Sequence, residues 1–336
     1  MAPAREKVAL YGLVALLWML PGTAQAAEPG PPLVLERTIP LTGVSGRIDH
    51  MAVDLRRGRL FVAELGNGTV DVVDLTAEKV LRRIEGLKEP QGVGYAPRAD
   101  IVAVANAGDG SVHLFQGEDL TPAGVIGLGG DADNVRLDMR TGQLVVGHGS
   151  GGLAVLDPSS RSIAGDTKLT AHPESFQLDP STQRAFVNVP DARQIAVVDL
   201  AAGKQVASWR VPGLTANFPM ALDHAASALA AVFRSPPQLI LLDTKTGAVT
   251  ARLPTCGDAD DVFFDAKRHR IYVSCGEGVV DVVQQDAEGC RPLARVKTSS
   301  GARTSLFVPE LDRLFVAARA GVLGPHAAIL VLRPER

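Results

Sequence analysis

The sequence predicts an all-β protein, a seven-bladed β-propeller with four-stranded antiparallel blades, and three observations carry that expectation. A short strand closing on an acidic or small residue recurs along the 336 residues. MAVD ends at Asp54, VGYA at Ala96, VRLD at Asp138, FQLD at Asp179, MALD at Asp223, VFFD at Asp265 and LFVP at Pro309. Successive anchors stand 42, 42, 41, 44, 42 and 44 residues apart. Four short strands fit each period, which is the arithmetic of propeller blades; the rungs of a β-helix are shorter. Apolar positions are filled mainly by Val, Leu, Ile and Ala while aromatics reach only 4%, a composition suited to strands covered on both faces.

The elements follow in chain order. Arg5 and Lys7 precede an apolar run from Val8 to Leu20, Pro21-Gly22 breaks it, and Ala24-Gln25-Ala26 supplies a small-x-small cleavage pattern. The run falls short of the roughly 20 residues of a membrane span. Residues 1–26 are therefore expected to be a Sec-type signal peptide, 27–32 a flexible leader and 33–336 a single propeller. The mature chain is expected to be periplasmic or secreted, monomeric, and without stable membrane insertion after cleavage.

Each anchor is followed by a polar turn and a second strand, ending in FVAE (61–64), AVAN (103–106), VVGH (145–148), FVNV (186–189), AVFR (231–234), YVSC (272–275) and FVAA (315–318). Third strands follow, from Thr69–Leu75 to Ala328–Leu332, with fourth strands such as Val80–Ile84 and Val206–Val211. The last repeat stops after its third strand. Leu33–Ile39 is expected to supply the missing one, so that both chain ends share a blade. Closure covers the two apolar faces that an open stack would expose.

These tetrads resemble the YVTN family of β-propellers, with YVSC and FVNV nearest the family consensus. From Leu33 onward the chain looks like the YncE-type members, exported bacterial proteins. The resemblance implies the fold and export, and no particular activity, because propellers host many unrelated ones.

In a blade the first strand lines the channel and descends from the top face. The loop leading into it and the loop after the second strand therefore meet at the top. Asp54, Asp138, Asp179, Asp223 and Asp265 then sit at the bottom, where their carboxylates can accept turn N–H groups. Asp74, Asp157, Asp199 and Asp243, closing third strands, are expected to do the same. Five residues before each anchor the row reads Asp49, Gln91, Asp133, Glu174, Phe218, Asp260 and Thr304. The candidate ligand-binding set at the channel mouth is Asp49, His50, Asp133, Asn134, His172, Glu174, Asn217, Asp260, Asp261 and Arg303. Gly130 and Gly257 open two Gly-Asp-Ala-Asp loops, where their conformational freedom either brings carboxylates toward the axis or simply makes a Gly-Asp turn.

Like charges crowded at a narrow mouth need a cation, protonation or basic neighbours. Three readings stay open. A solvated acidic rim could be neutralised by Arg47, Arg234 and Arg303. A divalent metal could sit on Asp49, His50, Glu174 and Asp260, calcium by oxygen ligation or a transition metal by mixed ligation. A cationic or polar organic ligand is the third.

Cys256 and Cys275 should both reach the top of one blade, which makes a disulfide feasible in an oxidising compartment. Cys290 falls in a third-to-fourth-strand loop at the opposite face. No CxxC or haem-attachment pattern is present. The formal net charge is −3 with no polybasic run, so nucleic acid is not an expected partner. The favoured function is a non-catalytic binding or scaffold protein that holds a protein partner or a small polar ligand on its top face. The alternative is a lactonase-like metal-dependent hydrolase using Asp49, His50, Glu174, Asn217 and Asp260. Against that stands the lack of a WxEGP-like segment. Beyond the divalent metal no cofactor is expected.

Overall fold

A computed structural model describes residues 1–4, 30–321 and 326–336. Contacts divide the chain into Met1–Gly30 and Pro31–Arg336, and the second unit is the propeller. Beyond its first four residues the expected signal peptide lies outside the described residues, as does the leader up to position 29.

Second strands are unbroken apolar runs and bury almost every residue: Ile101–Asn106 and Arg270–Cys275 are buried throughout. Such strands can lie only in the middle of a sheet that is covered on both faces. Fourth strands alternate instead, as Lys204–Trp209 does between exposed and half-buried positions, and they face outward. The described residues form seven four-stranded antiparallel sheets, each in the order first, second, third, fourth strand. The last sheet joins Ser305–Val308, Arg313–Ala318 and Ala328–Pro334 to Leu33–Pro40, so the N-terminal strand closes the ring as expected.

A feature absent from the sequence pattern recurs in every blade. The pairing of third and fourth strands slips by one residue at Val72/Val73, Leu114/Phe115, Val155/Leu156, Val197/Val198, Leu241/Leu242 and Val282/Val283. The closing strand carries the same slip between Leu35 and Arg37. A bulge bends and twists the outermost strand, which spoils it as a template for pairing with another chain.

The core is divided into seven apolar clusters, one between each pair of neighbouring blades. The first of them joins Ile39, Ile329 and Val331 of the last blade to Leu60, Val62 and Val73 of the first. At the bottom, the anchor carboxylates accept turn N–H groups as expected, among them Arg56 to Asp54 at 3.0 Å and Ser181 to Asp179 at 2.9 Å. The third-strand acids do likewise, with Ser159 donating to Asp157 at 2.8 Å. Some anchors also bridge blades. Arg57 holds Asp54 and, in bidentate fashion, Asp100 of the next blade; Arg268 holds Asp265 and Asp312 in the same way.

One phase expectation is corrected. Val308, not Pro309, pairs with Arg313 as Asp54 pairs with Arg59 and Asp265 with Arg270. The last blade therefore runs one residue out of step. Its Arg303, and not Thr304, stands in the row of Asp49, Asp133 and Glu174.

Candidate functional site

At the top, backbone pairing sets the side chains before chemistry enters. The N–H groups of Asp49, Asp133 and Glu174 donate to Ala63, Gly147 and Asn188 at 2.7, 2.9 and 2.9 Å. Each leading loop is thus clamped onto its own second strand, with its carboxylate carried toward the axis. The expected role of the glycines is corrected here. The left-handed backbone falls on Asp131 (φ 34°) and Asp258 (φ 56°), and on Glu89 and Ala216 at the matching place in other blades. Neither Gly130 nor Gly257 has a left-handed φ.

The expected rim is a largely buried plug. Asp49 is 1% exposed, Asn134 2%, Asn217 0% and Asp133 5%. His50, His172, Glu174, Asp260 and Arg303 are half-buried above and between them. Two kinds of carboxylate result. Asp260 is held by Arg234 at 2.5 Å and by Arg303 at 3.1 Å. Burial alone would raise its pKa, but Arg303 and Arg234 hold it below the ordinary aspartate range. Arg234 is itself fixed: its guanidinium lies 3.9 Å from the centre of the Phe218 ring and donates to the Ala259 carbonyl at 2.7 Å.

Asp133 has no arginine in contact among the described residues; its charged-type neighbour is His50 at 3.8 Å. Burial drives its carboxyl well above the usual range, reinforced by Asp49 and Glu174. His50 cannot compensate, because burial and then Arg136 depress the imidazole to about 4. Asp49 lies 2.7 Å from Arg47, yet burial lifts it to about 7. Glu174 is raised as well, first by burial, against the opposing pull of His172. Buried acceptor oxygens of Asp133, Asn134 and Asn217 have no hydrogen-bond donor, and Oδ2 of Asp49 is met by the Arg47 charge without an aligned hydrogen bond.

Asp261 accepts the Ser305 N–H at 2.7 Å, and His172 donates from Nδ1 to the Gly149 carbonyl at 2.6 Å. Asn217 donates to Asn188 and to the Gln194 carbonyl at 2.8 and 3.0 Å. Cys256 and Cys275 form a disulfide with Cα atoms 5.9 Å apart, while Cys290 is a free thiol. Asp49, His50, Glu174 and Asp260 do not assemble as a metal cage: Asp260 is taken by arginines. Among the described residues no group of three or more His, Cys, Asp or Glu is disposed to hold an ion.

Sequence reasoning passed over Arg136, Asn188 and Phe218 as site residues. Arg136 had a signal, as the sole charged residue at the second position of the seven first-strand tetrads. The channel below the plug is a cavity of about 390 Å³, and Arg136 lines it together with Gln177, Met220, Val262, Phe264 and Leu306.

No protein-family model and no curated protein matches this sequence. Solved structures do match. Hydrazine synthase of Kuenenia stuttgartiensis is 16% identical over 82% of this chain and 94% of that one, with a TM-score of 0.72. A chain from the crystal structure of a mitotic checkpoint complex is 13% identical over 98% of both, with a TM-score of 0.77. At such identities the likeness defines a class, the β-propellers, and shows the fold alone.

Proposed function

We propose that this is an exported, YncE-like propeller of the YVTN kind, acting as a binding or scaffold protein through the polar face at the top of its channel. Its partner is a protein or a small polar ligand that brings hydrogen-bond donors and positive charge. One observation carries the reading: Asp133 and Glu174 face the axis without an arginine in contact among the described residues, whereas Asp260 has two. An uncompensated acidic pair beside unpartnered acceptor oxygens favours a cationic group. The match to a member of a mitotic checkpoint complex is precedent for such a ring serving a protein assembly. Export is supported by the leader pattern and by the Cys256–Cys275 disulfide, a bond that persists in oxidising compartments. No helix of the described residues is long and apolar enough to cross a membrane.

Thermal melting tests the site, with putrescine and arginine each added alone. A ligand at a hundredfold excess over its Kd stabilises the folded form by about 2.7 kcal/mol. At least one probe is expected to raise the Tm, and Asp133→Asn with Glu174→Gln to abolish the rise. Failure of every probe, together with identical crosslinked partners for wild type and variant, would remove the reading. Export is tested by the mass of the chain recovered outside the cytoplasm, expected to begin at Ala27.

A further inference from the structure

Below the plug the first strands present one side chain per blade to the lumen. In register these are Ala52, Gly94, Gln177, Ala221, Phe263 and Leu306, and Arg136 in the third blade. Six of these positions are small, apolar or amide, so the guanidinium stands alone as a charge in this ring. Its one hydrogen bond among the described residues runs from Nη1 to the carbonyl of its own neighbour Val135, at 3.0 Å. It makes no ion pair among the described residues, and its Cζ sits 5.8 Å from the centre of the Phe176 ring. An arginine cannot shed its proton in a protein, so this charge must be met by something.

Solvent reaches the lumen from below. The lumen-facing Ala52, Arg136, Gln177, Phe263 and Leu306 are half-buried, whereas Asp49 and Asn217 in the plug are sealed. The cavity volume of about 390 Å³ lies in the range of small-ligand pockets.

We propose that the channel binds a small organic monocarboxylate, entering from the bottom face, with its carboxylate on the Arg136 fork and its apolar body against Ala52, Ala221, Phe263 and Leu306. A guanidinium matches a carboxylate with two parallel N–H···O bonds, strengthened by apolar surroundings. The walls select for the rest of the molecule. An inorganic phosphate would leave oxygens unsolvated against Phe263 and Leu306, and a second carboxylate would face the apolar wall or Asp261. Asp261 opposes the monoanion weakly, since burial pushes its carboxyl well up and its Oδ2 is taken by the Ser305 N–H. This site is separate from the top face and takes a ligand of opposite charge.

The test is calorimetric titration of the purified chain with benzoate, benzamide and succinate. Benzoate is expected to bind saturably in the millimolar range or tighter, and the isosteric neutral benzamide and the dianion succinate at least tenfold more weakly. Arg136→Gln should lose benzoate binding at least tenfold while keeping the wild-type circular dichroism. Ala221→Phe, which narrows the lumen and leaves the charge, should lose it as well. The inference is overturned if benzoate shows no saturable binding, if benzamide binds equally well, or if Arg136→Gln binds like wild type. Loss of binding in Arg303→Gln but not in Arg136→Gln would place the anion on the top face and overturn it too. Putrescine reads the plug and benzoate the lumen, so failure of one proposal is distinguishable from failure of the other.

Discussion

Glu64 ends the second strand of the first blade with no solvent to ionise into, being 0% exposed. Its neighbour Asp71 claims Arg83 through two contacts of 2.7 Å and leaves Glu64 3.8 Å from that guanidinium. The Thr69 hydroxyl donates to one Glu64 oxygen, and the other has no donor. Burial, followed by Asp71, lifts this carboxyl from 4.5 to about 8. Between those values the folded chain holds a proton that the unfolded chain has released, so stability falls as pH rises through the window. Glu64→Gln keeps the neutral shape. It is expected to raise stability by about 2 kcal/mol at pH 8, the order of cost of an unsatisfied buried polar group, and to leave it unchanged at pH 4. Melting both chains across that range checks it; a variant curve parallel to wild type would refute it. Asp100 and Asp312 run the other way. Arg57 and Arg268 depress them, so their contribution is present above the ordinary aspartate pKa and is lost as pH falls through their lowered values. At this scale the sequence was only partly legible. A row of acids at the mouth can be counted off the repeat, but which acid receives an arginine depends on a one-residue phase in the last blade. Asp260 has Arg303 because that blade is out of step, and nothing in LFVP announces the shift.

The blade is the next scale, and there the repeat was read with little error. Strand ends moved by a residue or two because hairpins, not side-chain periodicity, set where pairing stops. The fourth-strand bulge was invisible, since a slipped residue such as Leu81 or Val206 is as apolar as its neighbours though about 45% exposed. The conformation of the leading loops differs from the expectation for a related reason. Gly–Asp reads as a glycine turn, but the left-handed backbone falls on the aspartate, whose carbonyl accepts an N–H from the loop after the second strand, Gly276 to Asp258 at 2.9 Å. A Cβ on Gly276 would strike the Asp258 carboxylate at 2.1 Å. Two predictions belong to single blades. Cys256–Cys275 closes a separation of 19 residues, and replacing both by Ser is expected to cost about 3 kcal/mol by the chain-entropy relation. Denaturant melts of the variant and of the reduced wild type should agree; a loss in neither would show that the strand pairing of Ala259 with Cys275 suffices. Arg268→Ala strips its guanidinium partner from Asp265 of the same turn, which is 2% exposed, and is expected to cost about 3 kcal/mol. Arg295→Ala, removing a half-exposed arginine paired with Asp281, serves as the comparison and should cost under about 1 kcal/mol.

For the whole molecule the governing fact is that every blade is stabilised by its two neighbours, so closure is a property no single blade possesses. The closing strand Leu33–Pro40 covers the edge of Ala328–Pro334 along its length. It also delivers Leu33 and Ile39, each 1% exposed, to different inter-blade clusters. Each such side chain contributes about 2 kcal/mol of burial, and its loss would open an apolar edge as well. A chain starting at Thr42 is therefore expected to lose cooperative melting and to associate, while one starting at Leu33 melts like the full chain. Calorimetry and size-exclusion chromatography read the two effects. The synthetic peptide Leu33–Pro40 added to the shortened chain separates the causes. If the strand acts by completing the sheet, the peptide should restore a single transition at a Tm that rises with peptide concentration, since it binds only the folded ring. If the shortened chain melts within a few degrees of the full one without peptide, the ring is held by its other blades, and the fastening at Leu33–Pro40 is dispensable.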